Sequence, residues 1–233
     1  MGKRSRGLRF TVITDRAGYA GAELFIFTNT LLTQDLNSAE RIYAMANENL
    51  KGKKVAILVT DGFEQAELLQ PREALDKAGA ETKVVSLKEG PIKGWDMTKW
   101  GKEVPADLTL DNAKTGDFDA LLLPGGVINP DKLRMEPKAV AFVKAFFDAN
   151  KPVAAICHGP WMVIEAGVAR GRKIASWPSL KTDIRNAGAE WMDKEAVTDG
   201  NLVTARKPDD IPAFNRAMIE LISSGVKEKR PAA

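Results

Sequence analysis

The chain has one cysteine and one histidine among its 233 residues. A lone cysteine excludes an intrachain disulfide and fits a reducing compartment, so a cytoplasmic location is expected. One cysteine and one histidine cannot supply the four ligands of a structural zinc site. A dominant charge is also missing. The 34 lysines and arginines face 31 aspartates and glutamates, and no basic block adds to that small excess, so no nucleic-acid partner is expected. No apolar run approaches the ~20 residues that a membrane-spanning helix needs.

The two rare residues are adjacent, as Cys157-His158 within KPVAAICHGP. The thiolate is the reactive form of cysteine, and imidazole is a usual group for stabilising it or exchanging its proton. Pro152 to Ile156 is a short apolar run that reads as a buried strand. Gly159-Pro160 then opens a helix that Gly167 stops. A strand turning sharply into a helix across a reactive residue is the layout of a nucleophile elbow. The positive end of that helix is expected to lower the Cys157 pKa and expose a thiolate. The competing reading is a buried, inert cysteine beside a histidine that satisfies backbone groups.

Further strands are expected at 53–61, 83–87, 118–123 and 173–177, with helices over 64–78, 137–149 and around 180–186. The first helix is expected to be interrupted or kinked at Pro71. In the second, Val140, Val143 and Phe147 are spaced to share a core stripe, with Phe142 nearer its margin. Residues 88–112 read as loops with a small hairpin. A hairpin turns at Asp199-Gly200-Asn201, and a last helix covers 211–223. Strands alternating with helices argue for a mostly parallel sheet covered on both faces. Residues 1–44 break this pattern and are expected to lie upstream of a natural start at Met45 or to form a poorly ordered extension. That leaves one domain over 45–226 and a polar tail, 227–233. A targeting peptide fits the leader less well, because acidic residues interrupt it.

With AICHGP, LLLPGG, GFEQAEL and GRKIASWPSLKTDIRNAGAEWMD in place, the chain resembles the PfpI-like proteins, in the superfamily of the Parkinson-associated deglycase. The resemblance runs over about residues 50–225. It implies a flavodoxin-like α/β sandwich with the cysteine on a strained elbow, oligomers such as a dimer or hexamer, and neither cofactor nor metal. Cys157 matches the nucleophile and His158 the adjacent imidazole. The acid that meets the thiol sits on the first helix, where Glu67 is favoured and Glu64 is the second choice; otherwise both complement the helix N-terminus. A carboxyl in a dry pocket beside a thiolate is expected to be protonated. Gly125 and Gly126 end the strand expected beside that of Cys157. Their N–H groups, with that of His158, are placed for an oxyanion hole, against the alternative of an ordinary turn. Asp131 matches an acid that reaches the histidine of a neighbouring subunit, or else is a solvated loop residue. Trp161 is a pocket wall or plain core.

The resemblance implies a cysteine-dependent, stress-protective enzyme. Its thiolate attacks small reactive carbonyls or the protein and peptide adducts they form, in glyoxalase- or deglycase-like chemistry. An intracellular cysteine peptidase and a non-enzymatic redox sensor or chaperone-like stress protein are the alternatives. A glutaminase triad is excluded, because no histidine follows position 158.

Overall fold

A computed structural model describes residues 50–226. The segment 1–44 and the tail 227–233 lie outside the described residues, as does Met45. Eleven strands occur among the described residues: β1 (Lys54–Leu58), β2 (Glu81–Ser86), β3 (Pro91–Asp96), β4 (Lys99–Pro105), β5 (Leu108–Thr109), β6 (Ala120–Leu123), β7 (Val153–Ile156), β8 (Lys173–Ile174), β9 (Glu190–Trp191), β10 (Val197–Asp199) and β11 (Leu202–Ala205). The helices are α1 (Gln65–Lys77), α2 (Ile128–Arg134), α3 (Pro137–Asp148), α4 (Pro160–Glu165), α5 (Lys181–Asn186) and α6 (Ile211–Ser224).

The main sheet has the order β10-β11-β7-β6-β1-β2-β5 and is parallel except at the β10–β11 hairpin. Its central part, β2-β1-β6-β7-β11, is the flavodoxin-like order, which reverses direction beside β1. Loops leaving the carboxyl ends of β1, β6 and β7 therefore converge at one edge, where such sheets bind ligands.

Alternation along the strands splits the core in two. Val55, Ile57, Leu122 and Ile156 face one side with Leu68, Leu75, Phe214 and Met218. Ala56, Leu58, Leu121 and Val153 face the other with Phe142, Phe146, Met162 and Val163. Strands buried on both faces must be apolar at every position, which is why β6 and β7 read ALLL and VAAI.

Three sequence expectations change. The stripe of α3 is Ala139, Phe142, Val143, Phe146 and Phe147, a regular i, i+3, i+4 pattern. Phe142 thus belongs to the core, and Val140 is only half-buried. Pro71 lies inside an unbroken α1. The 88–112 region holds a long hairpin, β3–β4, with an irregularity between Lys93 and Trp95.

Candidate active site

Cys157 follows β7 with a φ of 61°, a left-handed conformation that costs a non-glycine residue about 1–2 kcal/mol. Neighbouring hydrogen bonds hold it there. Its N–H donates to the Ala205 carbonyl at 3.0 Å, and its carbonyl accepts from Trp177 N–H at 2.9 Å. Gly159 is required by space: a Cβ there would meet the carbonyl oxygens of Leu123 and Ile156. Pro160 then supplies the fixed φ of the first turn of α4. Strand, strained residue and helix form the expected elbow.

Glu67 sits in the first turn of α1 and is fully buried. Its Oε2 accepts from Gly125 N–H at 3.0 Å, and the carboxyl lies beside the Cys157 thiol. Oε1 has no hydrogen-bond partner of good geometry. Burial pushes the Glu67 pKa up to about 8. Glu64 occupies the N-cap position of α1, lines the same cleft, and has its pKa raised chiefly by burial. Of the two glutamates, Glu67 is the one against the thiol.

The thiol is not the exposed thiolate expected from the sequence. Cys157 is 6% exposed, and burial, then the Glu67 charge, raises its pKa well above the ordinary value. A helix N-terminus contributes about 0.3–1 kcal/mol, less than one pKa unit. Desolvation can be worth up to ~3–5 units, so burial wins. The N–H groups of Gly126 and His158 face the sulfur and oppose that rise. Gly125 differs from expectation, because its N–H is committed to Glu67.

His158 packs its ring beside the sulfur, with Nδ1 at 3.2 Å from Sγ. Burial lowers its pKa to about 4, so the ring is neutral at pH 7. Trp177 stacks on it at 6.1 Å between centroids, and Trp161 meets it edge-on at 5.1 Å. Trp161 Nε1 donates to Asp183, and Trp161 backs the histidine without lining the cleft.

The cleft is about 480 Å³. Glu64, Glu67, Gly126, Cys157 and His158 form its floor side, with Trp95, Met97, Val127 and Trp177 as apolar walls. Lys207 and Asp209, paired at 2.8 Å, lie at one edge. Asp131 is on the exposed side of α2 and does not line the cleft of its own chain.

Several of these residues escaped sequence reasoning. Trp95, Met97 and Trp177 reach the cleft through tertiary packing, which no local period reveals. Asn129 is fully buried and holds the turn after β6: Oδ1 accepts from Thr60 N–H, and Nδ2 donates to the Pro124 and Gly125 carbonyls. Among the described residues no cluster of His, Cys, Asp and Glu could hold a metal, and no helix is long and apolar enough to cross a membrane.

Comparison with known proteins identifies the family and the fold. The chain is 46% identical to Deglycase TK1284 of Thermococcus kodakarensis over 169 residues, 72% of this chain and 99% of the relative. It is 45% identical to General stress protein 18 of Bacillus subtilis over 173 residues, 73% of this chain and 98% of that protein. The crystal structure of Drosophila melanogaster DJ-1beta superposes with a TM-score of 0.67 at 26% identity, covering 74% of this chain and 91% of that one. The DJ-1/PfpI family matches residues 53–221, and the chain belongs to it.

Proposed function

We propose that the protein is a cysteine-dependent deglycase, which removes α-oxoaldehyde adducts from the amines and thiols of proteins and small molecules. The buried Cys157–Glu67 pair at the floor of an open cleft carries this reading. Relatives that share the whole domain bear the name deglycase.

The groups present suit attack on a carbonyl next to a carbinolamine. Two adjacent acids in a dry site do not both ionise readily. The Glu67 carboxylate takes the thiol proton as the sulfur forms its bond to the carbonyl carbon. Attack moves the carbonyl π electrons onto oxygen. The N–H groups of Gly126 and His158, which face the sulfur, are placed for the charge that develops there. Glu67, now protonated, returns the proton to the leaving amine. The amine leaves as the carbinolamine carbon collapses to an aldehyde and its hydroxyl proton passes to the oxyanion. The sulfur then leaves the ketone carbon and adds to that aldehyde carbon, whose hydrogen moves as a proton to the neighbouring carbon through an enediol, giving the thioester of a 2-hydroxy acid. Water hydrolyses the thioester and frees the Cys157 thiol, so adduct plus water gives the free amine and a 2-hydroxy acid. His158 is a poor base, because burial holds its pKa near 4. That weakens the peptidase reading, which asks for strong protonation of an amide leaving group.

The test compares wild type with Cys157→Ala on methylglyoxal-treated N-acetylarginine and N-acetylcysteine, following release of free amine or thiol and of lactate. Release by wild type well above the variant's rate is expected. Equal rates would overturn the proposal.

A further inference from the structure

The cleft in front of Cys157 has a carboxyl without a counterion. Glu64 lines the cleft and is half-buried. Backbone N–H groups of Ala66, Met97 and Gln65 face its side chain, Asp96 adds a like charge, and no cation stands among these neighbours. Lys207, at the cleft edge, is already paired with Asp209 at 2.8 Å, so those two together add no net charge.

Two indoles stand in the same cleft. Trp177 lays one face on the His158 ring, with planes 25° apart. It is still 39% exposed, which leaves its other face for the cleft. Trp95 is held by a hydrogen bond from its Nε1 to the Met97 carbonyl at 2.9 Å and by an edge contact with Trp100.

We propose that Glu64 is the specificity-determining residue of the cleft: its carboxylate, with the indoles of Trp95 and Trp177, takes the guanidinium of an arginine adduct, so that arginine adducts are processed in preference to thiol adducts. This rests on the proposed function for the identity of the reacting carbonyl.

An α-oxoaldehyde added to arginine leaves the planar cation in place, with its nearest nitrogen two bonds from the ketone carbon that Cys157 attacks. The cation therefore enters the cleft together with the reacting carbonyl. A guanidinium presents forked N–H donors to a carboxylate and a flat face to an indole. Glu64 and the tryptophans offer those two kinds of partner. A cation beside Glu64 also offsets the cost of keeping a half-buried carboxyl ionised. The hemithioacetal formed on a thiol carries no charge and leaves Glu64 without a counterion. Polar groups of a site left unpaired are what discriminate against an analogue. The apolar walls, Met97 and Val127, would accept either adduct.

The chain has one cysteine, so iodoacetamide alkylation reports on Cys157 alone. Ethylguanidinium is the probe, with neutral ethylurea as its isostere, and each is titrated for protection of Cys157 at pH 7. Ethylguanidinium should half-protect wild type at a concentration about tenfold below ethylurea, the lower end for a hydrogen bond to a charged group. Glu64→Gln should raise that concentration about tenfold, and Trp95→Leu about threefold, the scale of an exposed cation–π contact. In turnover, the ratio of kcat/KM on methylglyoxal-treated N-acetylarginine to that on methylglyoxal-treated N-acetylcysteine should fall about tenfold in Glu64→Gln. Equal protection of wild type by the two probes would overturn the assignment. So would a folded Glu64→Gln variant with unchanged protection by ethylguanidinium. The protection assay uses no carbonyl adduct, so selective protection by the cation alongside inactivity on both adducts counts against the deglycase alone.

Discussion

The amide of Gly125 donates to Oε2 of Glu67 at 3.0 Å, tying the turn after β6 to the first turn of α1 directly under the Cys157 sulfur. The approach is possible because residue 125 has no side chain. A Cβ there would overlap Glu67 Oε2 and lie 2.7 Å from both Cys157 Cβ and the Ile156 carbonyl oxygen. Gly125→Ala is therefore expected to cost about 1–3 kcal/mol, the usual range for forcing a methyl group into a packed site. In thermal unfolding that corresponds to a fall of about 2–12 °C for a domain of this size. Turnover should fall as well, because Glu67 and Cys157 are the atoms displaced. A variant that melts with wild type and keeps full activity would show that the turn can move without disturbing the pair.

Glu67→Gln separates the two effects that the carboxyl has on the sulfur. The substitution removes the proton acceptor, so turnover on adducts should drop about 100-fold, within the range for loss of a general acid–base group. It also removes the negative charge that raises the Cys157 pKa. Iodoacetamide should then alkylate Cys157 faster than in wild type at pH 9, where wild-type Glu67 is ionised. Turnover and alkylation moving in opposite directions is the signature. Parallel loss of both would mean that Glu67 only shapes the site.

The pH dependence follows from the same pair. Glu67 must be ionised to take the thiol proton, and burial raises its pKa to about 8, so kcat/KM should climb with pH and level off above about 8. A plateau already reached at pH 6 would exclude Glu67 as the base. Stability has its own sign. The folded-state value of Glu67 lies above the ordinary carboxylate value of 4.5, so its contribution is full below about 4.5 and is lost as pH rises through about 8. His158 is lowered from 6.5 to about 4 by burial, so its contribution is present above about 6.5 and is lost as pH falls through about 4. The Tm difference between wild type and Glu67→Gln should therefore shift against wild type from pH 5 to pH 8 and stay constant above that. A difference independent of pH would mean that the folded carboxyl titrates normally.

The elbow was legible in the sequence because each of its requirements leaves a local mark: an apolar run for β7, a glycine where Leu123 closes in, and a proline at the first turn of α4. The mostly parallel sheet covered on both faces was legible for a similar reason, since its strands are apolar throughout, while its flavodoxin-like order came from the family resemblance. Helix α2 was not. Asn129-Pro130 reads as loop chemistry, yet proline is tolerated in a first helical turn, and Asn129 spends its amide group on the turn after β6. The ionisation of Cys157 was misjudged because a helix end is visible in sequence and burial is not. Trp177 lies in a quoted motif, but nothing in its spacing shows that the indole comes back over His158. That contact depends on β11 pairing beside β7.

Asp131 gives the last test. The family resemblance pointed to it as an acid that reaches a neighbouring copy's histidine. Within its own chain it stands on the exposed side of α2, away from the cleft. The ring nitrogen turned away from the sulfur is Nε2, and a carboxylate can only accept from it. Asp131→Asn is therefore expected to lower turnover about tenfold and to alter the His158 nitrogen shifts in an oligomer of unchanged size, as loss of an orienting partner of a histidine does. Light scattering on the same samples fixes the state of association. Turnover within about twofold of wild type and unchanged ring-nitrogen shifts would instead leave Asp131 a solvated loop residue.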